Sequence, residues 1–149
     1  MKWLWVLLSA LSLSACAGLD NERASAESET ATAQVGVVNH TGQYIYSSSV
    51  NGMGGGNMAA WGAGGGSICC ASIPRVWYPG MQVRVRWNMP IGRQDVIKEK
   101  MVEVEKYDRP GDIYLHFFPN DEVRVIVSNI GGSSPKHPIP PPVKPANTQ

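Results

Sequence analysis

The chain alternates short apolar stretches with turn-forming residues, and hydrophobic positions in several stretches follow a period of two. Residues 82–87 (QVRVRW) are the clearest case, because Val83, Val85 and Trp87 alternate with polar side chains. A period of two places every second residue on the same face of a β-strand. This segment therefore predicts a strand with one buried face and one face towards solvent.

Other segments also have strand-like patterns, and turn signals such as DRPGD at 108–112 and PND at 119–121 separate them. Residues 95–106 are ambiguous, since the first half suits a helix and the second half suits a strand. The sequence predicts an all-β fold, a small antiparallel β-sandwich or open barrel of six to seven strands. The remaining predicted strands are residues 35–39, 44–50, 67–73, 101–107, 113–118 and 122–128.

The first sixteen residues have the pattern of a lipoprotein export signal. Lys2 precedes an apolar stretch, residues 3–13, that is too short to cross a bilayer core of ~30 Å. Leu13-Ser14-Ala15-Cys16 then fits a lipobox, so we expect cleavage before Cys16 and lipidation of its thiol. Ala17 follows Cys16, where an Asp would favour retention at the inner membrane. We therefore expect a bacterial envelope protein, anchored by lipid to the outer membrane and facing the periplasm.

The sequence divides into four predicted regions. Residues 1–15 are the signal peptide, and residues 16–34, rich in Ala, Ser, Thr and Glu, are a lipidated flexible tether. Residues 35–130 form the globular β domain. Residues 131–149 form a Pro-rich tail that we expect to be extended and outside the core. Asn39-His40-Thr41 is formally a glycosylation sequon, but a turn after the first strand is the better interpretation.

Charge and motifs exclude several function classes. The chain carries 13 Lys and Arg against 12 Asp and Glu, whereas nucleic-acid binding favours a basic stripe. The glycine runs in residues 51–67 lack the Lys-Ser/Thr of a P-loop and the context of a dinucleotide fold. We expect no nucleic-acid partner and no cofactor.

The same glycine-rich segment has two interpretations. It can be a loop whose Trp61 folds back on the core, or a mobile loop that presents Met53, Met58 and Trp61 to a protein partner. Arg84 and Arg86 on the polar face of the predicted strand can pair with a partner's carboxylates, or simply be solvated. These five residues are the candidate partner-binding set.

Cys69 and Cys70 are adjacent, and they are the cysteines that remain beside Cys16. In an oxidising compartment they can form a vicinal disulfide, stay reduced and buried, or link to another chain. Neighbouring Cα atoms across a trans peptide lie 3.8 Å apart, which is below the usual disulfide range of ~4.4–6.8 Å. The three states stay open at this point.

Catalytic chemistry has little support in the sequence. The three histidines are His40, His116 in the middle of a predicted strand, and His137 in the Pro-rich tail. No Gly-x-Ser-x-Gly elbow and no Cys-x-x-Cys motif are present. Adjacent cysteines suit a zinc site poorly, because its ligands are usually spaced by two to four residues. We predict that the protein is not an enzyme and has no metal site and no small-molecule substrate.

Several short motifs, taken in order, resemble a family of short glycine-rich bacterial lipoproteins described mainly as a domain of unknown function. The resemblance covers roughly residues 35–129. The motifs are Asn39-His40-Thr41-Gly42, the glycine-rich stretch through Gly66, Cys69-Cys70, Pro74 with Trp77-Tyr78-Pro79-Gly80, residues 85–87, Tyr107 with Pro110-Gly111, and His116-Phe117 before Val127-Ser128-Asn129.

Members of that family are often encoded beside type VI secretion phospholipase effectors and look like their immunity proteins. The resemblance implies that this chain binds and inhibits a cognate lipase effector at the membrane. It carries over no catalytic residues. The alternative function is a structural or assembly lipoprotein of the cell envelope.

Overall fold

Strands and turns make up the part of the chain that the computed structural model describes, residues 29–147. Nearly every strand forms where apolar and β-branched residues alternate with polar ones or run together. One 3-10 turn, Pro119–Asp121, joins the last two strands. The strands are β1 (Thr30–Asn39), β2 (Ser47–Val50), β3 (Met53–Gly54), β4 (Ala63–Pro74), β5 (Gln82–Asn88), β6 (Ile97–Glu103), β7 (Asp112–Phe117) and β8 (Val123–Ser128).

These strands form two sheets of four strands each. The first sheet has the order β4-β1-β7-β8 and the second has the order β3-β2-β5-β6. All the pairs are antiparallel except β1 with β7, which run parallel. The predicted all-β class is confirmed, as two separate sheets rather than a closed barrel.

The hydrophobic core lies between the two sheets. Val83, Val85 and Trp87 point into it, and Gln82, Arg84 and Arg86 are exposed, as the alternation predicted. The Trp87 ring contacts the Phe117 ring across the core, with 5.5 Å between the ring centres. The core therefore joins β5 of the second sheet to β7 of the first.

The strand boundaries differ from the prediction in several places. β2 begins at Ser47 rather than at residue 44, β3 has no counterpart in the prediction, and β4 begins at Ala63, inside the glycine-rich segment expected to be a loop. Two further differences have a physical reason. β1 begins at Thr30, inside the segment predicted as tether, because residues 30–33 pair with the far end of β4. β6 begins at Ile97 rather than at residue 101, so the helical interpretation of residues 95–100 is wrong. Asn88 explains this start: its side chain accepts a hydrogen bond from Val96 N and donates one to Asp95, which positions the chain to pair with β5 from Ile97.

The Pro-rich tail packs against the protein, contrary to the prediction that it lies outside the core. We call residues 130–141 the strap. His137 and Ile139 of the strap are 3% and 8% exposed. Ile139 packs with Val38, Tyr114 and Ile126 on the outer face of the first sheet, the face turned away from the main core.

The composition of that outer face explains the strap. Val38, Tyr114 and Ile126 would expose a contiguous apolar surface if nothing covered them. A proline-rich segment suits this position, because proline has no N–H group that needs a partner when the chain is buried. The strap also comes close to the sheet, since a Cβ on Gly132 would lie 2.6 Å from Val38 Cγ2 and 3.1 Å from Tyr114 Cδ1.

Some predictions concern residues that lie outside the described part of the chain. These are the signal peptide of residues 1–15, lipidation of Cys16 and the tether as far as residue 28. Among residues 29–147, no helix has the length and hydropathy to span a membrane.

The close approach of Gly132 yields a prediction with a neighbouring control. We expect Gly132→Ala to lower the free energy of unfolding by about 1–3 kcal/mol, because the new methyl group overpacks against Val38 and Tyr114. A Cβ on Gly131 would have no atom within 4 Å, so Gly131→Ala is the control and should change stability by less than about 0.5 kcal/mol. Urea denaturation measures both, and equal effects would show that the strap does not pack as described.

Candidate functional site

The turn after β1 is built around Asn39, which is fully buried and uses its whole side-chain amide. Nδ2 donates to the carbonyl oxygens of Gln43 (2.7 Å) and Ala59 (2.9 Å). Oδ1 accepts from Thr41 N (3.0 Å) and Thr41 Oγ1 (2.7 Å). The Asn-His-Thr sequence is therefore a structural turn, as expected, and its asparagine is not accessible to a glycan.

This network also fixes the part of the glycine-rich segment that contains two of the candidate binding residues. Met58 pairs through its backbone with Ile45 and packs against the core, and Trp61 donates its backbone N–H to Thr41 O at 3.0 Å. Both side chains are half-buried. The structure favours the interpretation in which this segment folds back, while a role of Met58 and Trp61 in partner binding stays a prediction.

The other three candidate residues lie on or beside the second sheet. Arg84 and Arg86 are on its outer face, where Met101 and Glu99 of β6 are their cross-strand neighbours. Met53 is at the start of β3 and 44% exposed. The β2–β3 turn is held beside Arg84, since Asn51 Oδ1 accepts a hydrogen bond from Arg84 N. Arg84 and Arg86 therefore share the outer face of the second sheet, whereas Met53, the register partner of Val50, lies at the sheet edge on the inner side.

Cys69 and Cys70 lie on β4 with their sulfur atoms paired to each other. Cys70 also lines a groove of about 410 Å³ together with Val50, Met53 and Val83. The vicinal disulfide stays a prediction. Mass spectrometry of the unreduced protein tests it, because a disulfide lowers the mass relative to the two free thiols.

The three histidines, which the sequence kept apart, form one hydrogen-bonded chain. His40 follows β1, His116 lies in β7 and His137 lies in the strap. His40 Nε2 is 3.1 Å from His116 Nδ1, and His116 Nε2 is 3.0 Å from His137 Nε2. His137 Nδ1 is 2.7 Å from the Ile130 carbonyl oxygen. We call this series the histidine chain.

Aromatic neighbours hold the rings of the histidine chain in place. His40 stacks on Phe118, with 4.3 Å between the ring centres. The centres of the His116 and His137 rings are 5.1 Å apart and their planes differ by 23°, and Tyr114 meets His137 edge-on at 4.7 Å. His116 has no exposed surface, whereas His40 is half-buried at the outer end.

The direction of the hydrogen bonds follows from the carbonyl at the inner end. The Ile130 oxygen can only accept, so His137 Nδ1 donates to it. With all three rings neutral, His137 Nε2 is then the acceptor for His116 Nε2–H, and His116 Nδ1 is the acceptor for His40 Nε2–H. One carbonyl thus sets the tautomer of three imidazoles.

The environment disfavours positive charge on the histidine chain. Burial, and then the charges that His137, His40 and Arg124 carry when protonated, lowers the pKa of His116 to about 3. Burial and then Arg124 also lower the pKa of His40. Both imidazoles are therefore neutral at pH 7, so the chain is a structural link rather than a cationic site.

This arrangement does not match a metal centre. The three rings lie in series, because His40 and His137 contact opposite nitrogens of His116. Between residues 29 and 147, no group of three or more His, Cys, Asp or Glu side chains is placed to hold a metal ion.

Sequence reasoning missed the histidine chain for identifiable reasons. His137 lies in a segment that the sequence predicts to be a tail outside the core, and His116 lies on a strand face that the strap buries. One signal was available: Tyr114, His116 and Phe118 put three rings on the second face of the predicted strand 113–118, which is unusual for a face exposed to water.

The Asn39 network yields a prediction with a control in the same segment. We expect Asn39→Asp to lower the free energy of unfolding at pH 7 by about 2–5 kcal/mol, because it removes two N–H donors and places a carboxylate against two carbonyls. Asn57 is exposed, so Asn57→Asp should cost less than about 0.5 kcal/mol. Chemical denaturation compares the two variants, and a similar small loss in both would show that Asn39 does not hold the turn.

Comparison with known proteins places the fold in a family. A family model with the description "protein of unknown function (DUF3304)" matches residues 38–125. The match covers more than half of the 149 residues and includes strands of both sheets. No curated protein and no solved structure matches the chain. On the evidence of that match, the chain belongs to the DUF3304 family.

Proposed function

We propose that this protein is a periplasm-facing lipoprotein that binds and inhibits a cognate type VI secretion phospholipase effector. In this role it is an immunity protein, and it works by covering a surface of the enzyme rather than by catalysis. Support comes from the family resemblance, from the lipobox at Cys16, and from one uncovered surface of the β domain.

The observation that carries the proposal is the difference between the two outer sheet faces. The strap covers the outer face of the first sheet. The outer face of the second sheet, which we call the open face, has no comparable cover among the described residues. Its side chains from β5 and β6 are Gln82, Arg84, Arg86, Ile97, Glu99, Met101 and Glu103.

The chemistry of the open face suits a protein partner. Met101 and Ile97 are 59% and 51% exposed, although they are large apolar side chains in a regular strand. Arg84 and Arg86 stand beside them on β5. Protein interfaces are enriched in arginine and methionine, and the apolar centre of an interface is surrounded by a rim of polar groups. We therefore assign the contact with the enzyme to the open face.

A groove beside Met53 lies at the edge of the second sheet, between the two sheets and behind the open face. It is lined mainly by apolar side chains, including Val50, Val83 and Ile113. The β2–β3 turn at its mouth hydrogen-bonds to the main chain of Arg84. An apolar side chain that reaches round this edge from a partner on the open face fits the groove and would add to the anchoring of the complex.

A lipid anchor adds to inhibition by raising local concentration. A lipase that reaches the periplasm acts at a membrane surface, and an inhibitor tethered to such a surface meets it at a high effective concentration. Anchoring through Cys16 therefore supports the same role.

The open face yields a direct prediction. We expect the double variant Arg84→Glu/Arg86→Glu to weaken binding to the cognate lipase, which the proposal expects to be encoded beside this gene, by at least about tenfold for each arginine, that is about 1.4 kcal/mol each. Both guanidinium groups project from the open face, where we expect them to pair with carboxylates of the enzyme. The glutamates that replace them would repel those carboxylates. Calorimetric titration and an assay of lipase inhibition measure the loss.

The control is Arg109→Glu, an equally drastic change at an exposed arginine. Its turn is attached to the first sheet, because Pro110 O accepts a hydrogen bond from Asn129 Nδ2. We expect this variant to bind and inhibit like the wild type. Equal losses in both variants would remove the open face from the proposal, and a wild-type protein that does not bind the adjacent lipase would overturn the immunity function.

A further inference from the structure

We propose that the strap is a pH-operated cover, which protonation of the histidine chain releases from the outer face of the first sheet. This inference stands apart from the immunity function, because it concerns the opposite side of the sandwich. It depends on three observations: how the strap is attached, how many protons the attachment can hold, and which charges surround it.

The histidine chain is the polar attachment between the strap and the body of the protein. His137 contributes one ring from the strap, and His116 and His40 contribute the others from β7 and the end of β1. The other contacts of the strap with the first sheet are apolar, through Ile139 and Gly132, apart from one hydrogen bond from Ile130 N to Ser128 Oγ at 2.9 Å. None of these groups titrates, so any response to pH must pass through the rings.

Proton counting shows why the attachment fails in acid. Each of the two nitrogen–nitrogen contacts has room for one proton, and the contact with the Ile130 oxygen holds a third. One further proton fits on His40 Nδ1, at the half-buried end. A second added proton must place two N–H groups against each other at about 3 Å, so one contact has to break.

The charges around the chain do not compensate for added protons. Arg124 is the cross-strand neighbour of His116 and is cationic, and its own counter-ion is Glu105, at 2.6 Å. Tyr114 faces His137 with the edge of its ring. The other titratable groups on the packed elements are Asp112 at the start of β7, Glu122 before β8, and Lys136 in the strap.

The sign of the effect follows from the burial of His116. When the strap is docked, burial keeps the pKa of His116 at about 3, whereas in the released state it returns towards the 6.5 of an ordinary histidine. The released state therefore binds more protons below pH 6.5, and acid favours release. From His116 alone, the equilibrium constant for opening rises about tenfold between pH 7.5 and 5.5, and about tenfold again by pH 4.5.

Hydrogen exchange of the full-length protein in detergent tests the proposal. Strap amides with hydrogen bonds, such as Ser134 N to Gly131 O and His137 N to Ser134 O, report release. Amides of the β5–β6 hairpin, which contains no histidine, report whether the sandwich stays folded. After correction for intrinsic exchange, we expect strap opening to rise about tenfold from pH 7.5 to 5.5 while hairpin protection is retained. A strap whose opening is independent of pH from 7.5 to 4.5 would overturn the proposal.

Variants separate a titrating link from a merely structural one. His116→Gln keeps a donor of similar reach but does not titrate, so we expect a more open strap at pH 7.5 and a loss of most of the pH dependence. Tyr114→Phe, also under the strap, is the matched control and should keep the wild-type pH dependence. If strap opening in His116→Gln depends on pH as steeply as in the wild type, the histidine chain is not the switch. If this variant loses hairpin protection, His137→Gln, whose change lies in the strap itself, replaces it: we expect a more open strap at pH 7.5, and a strap as well protected as in the wild type would overturn the proposal.

Discussion

Main-chain carbonyl oxygens accept hydrogen bonds and never donate them, and this constraint orients the whole histidine chain. Because the Ile130 oxygen requires a proton on His137 Nδ1, the neutral rings of His116 and His40 must each donate from Nε2. The chain joins the C-terminal strap to β7 and β1, which lie next to each other at the centre of the first sheet. The histidine chain thereby holds the strap over one outer face of the sandwich.

The two outer faces consequently differ in character. The first sheet places Val38, Tyr114 and Ile126 on its outer side, and the strap buries them. The second sheet places arginines, glutamates and exposed apolar residues on its outer side. A small sandwich needs both sheets for its core, but it needs only one outer face for a partner. We therefore propose the second sheet for recognition and the first for attachment of the C-terminal segment.

The period-two pattern was sufficient to predict the strands that have one buried face and one solvent-exposed face. In β5, Val83, Val85 and Trp87 are buried and the residues between them are exposed, as expected. The same reasoning failed to predict the burial of both faces of β7. The alternation of residues identifies the face that packs in the core, but it does not show that the strap covers the other face. It also failed for β6, whose start depends on the side chain of Asn88, the last residue of β5 and the cross-strand partner of Ile97.

The candidate site was less predictable than the fold. His40, His116 and His137 are far apart in sequence, and their contact depends on the β1–β7 pairing and on the docked strap. Neither is visible in a local pattern, and a Pro-rich composition suggested a tail without contacts. Arg84 and Arg86 were predictable as an exposed pair, since their position follows from alternation alone.

Nitrogen-15 NMR of the imidazole rings in the full-length protein at pH 7.5 tests the central claim most directly. The account predicts rings in fixed tautomers, with a proton of His137 on Nδ1 and those of His116 and His40 on Nε2. Rings that exchange between tautomers, or a His137 that carries its proton on Nε2, would contradict it, because the strap would then not be held by a hydrogen-bonded chain ending at the Ile130 carbonyl.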